Sequence, residues 1–146
     1  MTVVLTIGTF DLLHRGHLEL LRACRAMAGE TGQVVVSVND DDFVGRFKGH
    51  RPVQSMADRM EMVGAVRYVD AVYRNSGAEF ADRVIAEVRP DILAVGDDWA
   101  SRDYHAQLNV SQRWLDDHGV RIVYVPRTTG ESTTAIRGRL AAREAA

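Results

Sequence analysis

The sequence predicts a single α/β domain over residues 1–146, built on a parallel sheet with helices on both faces. The first observation is that short β-branched runs alternate with longer segments of helical period, an order typical of parallel strands joined by helical crossovers. The second is that the first run, residues 2–7 (TVVLTI), is almost entirely apolar, as expected of a strand buried on both faces. The third is an even composition, which gives no reason to divide the chain into two cores.

Four further runs predict the other strands of the sheet. Residues 33–38 (QVVVSV) and 120–125 (VRIVYV) are rich in valine and isoleucine, residues 92–95 (ILAV) are apolar, and residues 67–72 (RYVDAV) form a short run with charged ends. Runs of this length, bounded by polar or turn-forming residues, are typical of strands.

The segments between these runs predict helices and one loop. Apolar residues recur at helical spacing after Gly16, and Ser55 is a residue type that caps helix N-termini. Residues 79–88 predict a helix that stops before a proline, and residues 106–118 predict another. Residues 46–53 (RFKGHRPV) contain a glycine and a proline and predict an exposed loop.

Composition excludes several functional classes. Hydrophobic residues make up 46% of the chain, charged residues 26%, and the net charge is -2, so no basic excess suggests a nucleic-acid binder. The single cysteine, Cys24, cannot form a disulfide within the chain and favours a reducing compartment. The N-terminal apolar run is too short for a signal peptide or a membrane span. We therefore expect a cytoplasmic protein without membrane insertion.

The unusual residues all follow predicted strands. Ligands of open α/β sheets bind outside the carboxyl ends of the strands. Four polar or glycine-containing segments occupy those positions: residues 8–17 (GTFDLLHRGH), 39–42 (NDDD), 96–99 (GDDW) and 126–134 (PRTTGESTT).

Each segment offers groups that suit an anionic ligand. Gly8 and Gly16 allow close backbone approach, and the helix near Gly16 offers N–H groups to an oxyanion. The hydroxyls of residues 132–134 follow Arg127, an arrangement that suits phosphate. Further positive charge comes from Arg46, Lys48, Arg51, Arg59 and Arg67, and the aspartates of residues 40–42 could hold a divalent cation or sugar hydroxyls.

Other interpretations of these segments have less support. The chain has neither GxxxxGK[ST] nor GxGxxG, the usual phosphate-loop and dinucleotide motifs. A zinc site at His14 and His17 lacks a third ligand, because Cys24 faces the predicted core. Taken singly, the hydroxyl run could be a helix cap and the aspartates a solvated face, so the functional interpretation depends on their meeting at one edge.

The residues GTFDLLHRGH resemble the HxGH signature of the nucleotidyltransferase superfamily. Together with RYVD, GDDW and PRTTGESTT, they resemble the glycerol-3-phosphate cytidylyltransferase branch along nearly the whole chain. The resemblance implies a Rossmann-like sheet, a homodimer, and CTP held between the HxGH turn and the final STT helix.

The resemblance also implies roles for individual residues. The expected catalytic residues are His14, His17, Lys48 and Arg127. The expected nucleotide contacts are Gly8, Thr9, Phe10, Asp11, His14, Gly16, His17, Asp97, Arg127, Thr128, Ser132 and Thr133. The expected acceptor contacts are Asp40, Arg46, Lys48, Arg59, Arg67, Asp98 and Trp99. Among them, Arg59 and Arg67 resemble arginines that are either buried or face the site in the family.

Three departures from the branch pattern concern substrate choice. Arg15 stands where an aromatic residue is common, and Glu131 where an aliphatic residue is common. Residues 48–53 (KGHRPV) resemble the corresponding loop of heptose-phosphate adenylyltransferases. The main prediction is transfer of CMP from CTP to glycerol 3-phosphate; the alternatives are ATP with a sugar phosphate such as heptose 1-phosphate, and a non-catalytic nucleotide-binding module.

The predicted chemistry needs no general base. A phosphomonoester with a second pKa near ~6 is largely dianionic at neutral pH and can attack the α-phosphate directly. Catalysis then consists of in-line positioning and stabilisation of phosphate charge by the two histidines. We expect Mg²⁺, or another divalent cation, on the triphosphate oxygens, with no protein ligand assigned.

Overall fold

Five parallel strands form one sheet in the order β3-β2-β1-β4-β5. The structure is a computed structural model that describes residues 1–75, 80–97, 103–127 and 130–145, with Phe47 described by its backbone alone. Its elements are β1 (Val3–Gly8), α1 (Arg15–Ala28), β2 (Gln33–Asn39), α2 (Asp41–Lys48), α3 (Met56–Gly64), β3 (Ala71–Asn75), α4 (Ala81–Val88), β4 (Ile92–Gly96), α5 (Tyr104–Leu108), α6 (Gln112–Asp117), β5 (Arg121–Val125) and α7 (Thr133–Ala145).

The sheet order creates a crevice beside β1. The chain runs outward from β1 through β2 to β3, and then continues on the other side of β1 through β4 to β5. All neighbouring pairs are parallel, so their carboxyl ends lie along one edge. The connections from β1 and β4 leave in opposite directions, which makes this edge the usual place for a ligand.

Helices cover both faces of the sheet, as predicted. Neighbouring residues of a strand point to opposite faces, so Leu5 packs with residues of α4, α5 and α6, whereas Val4 packs with Cys24 and Ala28 of α1. On the latter side, Val36 packs against Met56 of α3. The predicted α/β class is confirmed.

The predicted exposed loop over residues 46–53 is wrong at its start, because α2 extends to Lys48. Asp40 caps this helix by accepting the Phe43 N–H at 2.8 Å, and the buried side chains of Phe43 and Val44 anchor it. Gly49, with φ 76°, takes the left-handed conformation that ends it.

Two further boundaries differ from the prediction. Residues 106–118 form two short helices, because Asn109 adopts φ 54° and Ser111 caps a new helix. Strand β3 begins at Ala71, since the preceding residues form turns in which Val69 N–H donates to the Val66 carbonyl. Within the described residues, no helix is long and apolar enough to cross a membrane.

Candidate active site

The segment between β1 and α1 makes a sharp turn at the carboxyl edge of the sheet. Phe10 and Leu12 both have left-handed backbone angles, with φ 53° and 52°, which is uncommon for residues other than glycine. Phe10 is buried and its ring contacts that of His17, with a centroid distance of 5.2 Å. Strained backbone of this kind persists only where the surroundings hold it in place.

Asp11 is the residue that holds this turn. Its buried carboxylate accepts the N–H groups of Val53 and Gln54 at 2.8 and 3.0 Å. Its carbonyl accepts the Thr133 hydroxyl at 2.8 Å, and Leu12 N–H donates to the Gln54 side chain at 2.9 Å. One residue therefore joins the turn to the α2–α3 loop and to the start of α7.

His14 and His17 cap helix α1 with their own side chains. Nδ1 of His14 accepts the Gly16 N–H at 3.0 Å, and Nδ1 of His17 accepts the His14 N–H at 3.2 Å. An accepting ring nitrogen carries no hydrogen, so each neutral ring is protonated at Nε2. The two rings stack with centroids 3.8 Å apart, and both can donate from Nε2.

This capping occupies part of the helix terminus. The sequence predicts that α1 offers free backbone N–H groups to an oxyanion, and those of His14 and Gly16 already donate to the imidazoles. The histidine Nε2–H groups can serve as further hydrogen-bond donors at this terminus.

Gly16 sets the position of the His14 ring. A Cβ at residue 16 would lie 2.8 Å from Cε1 of His14 and 3.0 Å from the Glu131 carbonyl oxygen. Any side chain here would displace either the His14 imidazole or the backbone at Glu131. The glycine therefore permits the HxGH turn to pack closely against the residues before α7.

The surroundings keep both histidines neutral at pH 7. Burial, followed by the neighbouring His14, Lys48 and Arg127, lowers the pKa of His17 to about 3. Burial also lowers the pKa of His14; Glu131 opposes this shift and Arg127 adds to it. Both rings can therefore donate hydrogen bonds without carrying charge, and the positive charge in the cleft comes from Lys48 and Arg127.

A cleft of about 340 Å³ opens at the carboxyl edge, between the HxGH turn, α2 and α7. Most of the predicted nucleotide and catalytic residues line it: Gly8, Thr9, Phe10, Asp11, His14, Gly16, His17, Lys48, Arg127, Ser132 and Thr133. Thr128, Asp98 and Trp99 lie outside the described residues.

Arg59 does not face this cleft, contrary to the expected acceptor role. Its side chain has no solvent exposure and donates to the carbonyls of Thr9, Asn39 and Gln54 at 2.7, 2.9 and 3.1 Å. It also forms an ion pair with Asp41. Arg59 is a structural link between the ends of β1 and β2 and the α2–α3 loop.

Four other expected contacts are not among the cleft-lining residues. Asp40 caps α2, and Arg46 and Asp97 are exposed outside the cleft lining. Arg67 precedes β3 and therefore lies at the amino edge, opposite the cleft, where it donates to the Tyr68 hydroxyl at 3.1 Å. Of the residues expected to bind the acceptor and described here, Lys48 is the one that lines the cleft.

Arg15 and Glu131, the two residues that depart from the branch pattern, lie in different surroundings. Arg15 is 77% exposed, outside the main cleft, and 3.8 Å from Glu19. Glu131 lines the cleft and accepts two hydrogen bonds from Arg139, at 3.1 and 2.9 Å. This bidentate ion pair fixes Glu131, just before α7, against a residue of α7.

Several cleft residues were not predicted from sequence. Asn39, His50, Tyr104, Gln107 and Arg137 line the cleft beside the predicted set. Arg137 Nη1 lies 3.0 Å from Nε2 of His50, which joins α7 to the α2–α3 loop across 87 residues of sequence. Gln107 lies three residues after buried Tyr104, on the same side of α5, but no local sequence signal points to the cleft.

The described residues contain no group of three or more histidine, cysteine or acidic side chains that could hold a metal ion. The carboxylate oxygens of Asp11 are engaged by backbone N–H groups, and those of Glu131 by Arg139. This donor set gives no support for a metal held mainly by protein side chains.

Comparisons with known proteins show the family of the chain. A family model described as cytidylyltransferase-like matches residues 5–139. The bifunctional protein HldE of Streptomyces coelicolor is 39% identical over 96% of this chain, which spans 28% of that relative. The FAD synthase of Korarchaeum cryptofilum is 31% identical over 94% of this chain and 90% of its own length.

A solved structure shares the fold. The crystal structure of the lipopolysaccharide core biosynthesis protein from Thermoplasma volcanium aligns with a TM-score of 0.69 and 25% identity, over 90% of this chain and 99% of that one. The fold and the HxGH site thus define a member of the HxGH nucleotidyltransferase superfamily. Within that superfamily, the chain belongs to the cytidylyltransferase-like family. Closeness to the glycerol-3-phosphate branch stays a prediction.

Proposed function

We propose that the protein transfers a nucleotidyl group, AMP from ATP, to a phosphomonoester of a sugar, with release of pyrophosphate. The observation that carries this proposal is the meeting of His14, His17, Lys48 and Arg127 in one cleft. Two neutral Nε2–H donors and two cations are the groups that bind and stabilise a reacting triphosphate.

The reaction follows from these groups without a proton-transfer step. The acceptor phosphate oxygen attacks the α-phosphorus, and the bond to the bridging oxygen of the departing pyrophosphate breaks. His14 and His17 donate hydrogen bonds to the phosphate oxygens, which carry more charge in the transition state. Lys48 and Arg127 offset the charge of the triphosphate, and the Ser132 hydroxyl, which accepts the Ala135 N–H at 3.0 Å, can still donate its hydrogen to it.

Relatives favour adenylyl over cytidylyl transfer. A FAD synthase, by its name, makes an adenine dinucleotide, and this relative matches over most of both chains. The HldE relatives match nearly the whole of this chain, and the loop over residues 48–53 resembles that of heptose-phosphate adenylyltransferases. CTP with glycerol 3-phosphate is the second candidate, favoured by the PRTTGESTT segment.

A sugar phosphate is the acceptor that we propose. The loop after α2 and the start of α7 face each other across the cleft mouth, where His50, Lys48 and Arg137 supply cationic or potentially cationic side chains. A relative of known structure is named for lipopolysaccharide core biosynthesis, which agrees with a sugar acceptor.

We further propose that a divalent cation, Mg²⁺ by preference, accompanies the nucleotide, and that the protein acts as a homodimer. The cation would be carried by the triphosphate oxygens, where it would offset charge. Chelation with EDTA would then abolish turnover without lowering the melting temperature of the free protein. Sedimentation measurements would test the dimer.

The test is pyrophosphate release from ATP or CTP with a panel of phosphorylated sugars and polyols. We expect ATP with a sugar 1-phosphate to give the highest kcat/KM. A higher value with CTP and glycerol 3-phosphate would favour the second candidate. Binding of a nucleotide without pyrophosphate release from any pair would favour a non-catalytic module.

A further inference from the structure

Gln107 has an unusual environment at the end of the cleft formed by β4 and β5. Its Oε1 atom is buried and has no hydrogen-bond partner among the residues that the structure describes, although the side chain lines the cleft. A buried amide oxygen without a partner is unfavourable, and such a group in a cleft is suited to accept a hydrogen bond from a ligand.

Local structure explains why Gln107 reaches this position. Asp103 caps α5 by accepting the Ala106 N–H at 3.0 Å, and Tyr104 and Leu108 are buried in the core beside the sheet. Gln107 lies between these anchors, three residues after one and next to the other. The backbone that carries its amide is therefore fixed by packing.

The neighbours of Gln107 differ from those of the histidines. Val95, Leu108, Val125 and Pro126 make this end of the cleft apolar, whereas the phosphate-binding groups lie at β1 and at the starts of α1 and α7. Strands β4 and β5 lie beside β1 at spacings of about 5 Å each, so this end of the cleft is displaced from the histidines along the edge of the sheet. A flat aromatic base can pack against such a surface.

We infer that Gln107 selects nucleotides whose base carries an exocyclic amino group, by accepting a hydrogen bond from it through Oε1. The inference rests on the proposed function for the placement of the phosphates. The terminal torsion of glutamine is soft, so rotation about it can turn the amide oxygen into the cleft. Adenine and cytosine donate from such amino groups; hypoxanthine and uracil present a carbonyl oxygen in its place and would face Oε1 with a second acceptor.

The experiment measures the dissociation constants of two pairs of nucleotides, ATP with ITP and CTP with UTP, with Mg²⁺, by isothermal titration calorimetry. Within each pair, the second nucleotide has a carbonyl oxygen in place of the amino group. Wild-type protein is expected to bind ATP about tenfold more tightly than ITP, the ratio that one neutral hydrogen bond gives. In Gln107→Met, a substitution of similar size without an acceptor, ATP affinity falls and the ratio approaches one.

Two further variants make the result specific. Gln107→Glu retains an acceptor and should keep a preference for ATP over ITP. Gln33→Met, an exposed position at the amino edge of the sheet, should keep the wild-type ratio. The inference is overturned if wild-type protein does not discriminate within either pair of nucleotides, or if Gln107→Met keeps the discrimination.

Binding and turnover separate this inference from the proposed reaction. A preference for ATP that depends on Gln107, found in a protein that releases no pyrophosphate, would support the base contact and contradict the reaction. Pyrophosphate release without any preference between amino and carbonyl bases would support the reaction and contradict the base contact. Equal wild-type affinities within each pair already exclude an amino-group contact; if Gln107→Met does not fold, Gln107→Leu, which also lacks an acceptor, takes its place.

Discussion

At the residue scale, the histidine pair combines two tasks in each ring. Nδ1 caps helix α1, and the same contact directs the Nε2 hydrogen away from the helix. Substitutions can keep the capping, because asparagine is a favourable N-cap residue and glutamine is one of the two residues common at position N3 of a capping box.

We predict that His14→Asn lowers the rate of pyrophosphate release by about 100-fold or more, the scale of a lost transition-state donor, because the asparagine amide is too short to place an N–H group where Nε2 of the imidazole lies. Helix capping is retained, so the free energy of unfolding at pH 7 should stay within about 1 kcal/mol of wild type. The two readouts are steady-state turnover and urea denaturation. Near-normal turnover in this variant would contradict the assigned role.

The lowered pKa of His17 also predicts an acid-sensitive fold. The unfolded chain binds a proton near pH 6.5, whereas the buried imidazole resists protonation down to about pH 3. Its contribution to stability is therefore present above pH 6.5 and is lost as the pH falls. Between pH 6.5 and 5, wild type should lose about 1.5 kcal/mol more unfolding free energy than His17→Gln, measured by urea denaturation. Equal losses would show that His17 titrates normally in the folded protein.

At the element scale, Arg59 links α3 to the carboxyl ends of β1 and β2 through three carbonyls and an ion pair with Asp41. Arg59→Lys leaves several of these acceptors unsatisfied, and we predict a loss of about 3 kcal/mol in the free energy of unfolding. Arg67→Lys, on the surface, is the matched control and should change stability by less than about 0.5 kcal/mol. A small effect at Arg59 would mean that water replaces the guanidinium.

The contact between Arg137 of α7 and His50 of the α2–α3 loop lies at the mouth of the cleft. A charged hydrogen bond to an acceptor phosphate contributes enough for about a tenfold change in affinity. We therefore predict that Arg137→Gln raises KM for the phosphorylated acceptor about tenfold and leaves KM for the nucleotide within about twofold. Arg143→Gln, exposed near the end of the same helix, is the control. Equal increases in both KM values would assign Arg137 to the nucleotide.

At the scale of the whole molecule, sequence pattern predicts the fold well where burial repeats along the chain. The apolar strands and the stripe containing Cys24 follow from short-range periodicity. The position of the HxGH turn follows because the strands of a parallel sheet have their carboxyl ends at one edge. The break between α5 and α6 at Asn109 cannot be predicted from such patterns, because it depends on a single left-handed backbone angle.

The site is less predictable, because several of its residues depend on long-range contacts. Nothing in the local sequence distinguishes buried Arg59 from exposed Arg67, since only the assembled sheet ends bring carbonyls around the former. His50 and Arg137 lie 87 residues apart. Residues within the HxGH and STT segments, in contrast, reach the cleft because each belongs to a connection that follows the carboxyl end of a strand.

The most direct test of the account is pyrophosphate release from ATP with a sugar 1-phosphate, comparing wild type with His14→Asn at equal folded concentration. We predict continuous release by wild type that requires the acceptor, and a rate about 100-fold lower in the variant. Contradiction would come from a wild-type protein that binds ATP yet releases no pyrophosphate with any phosphorylated acceptor. Turnover that does not change in His14→Asn would equally contradict the role of the histidine pair.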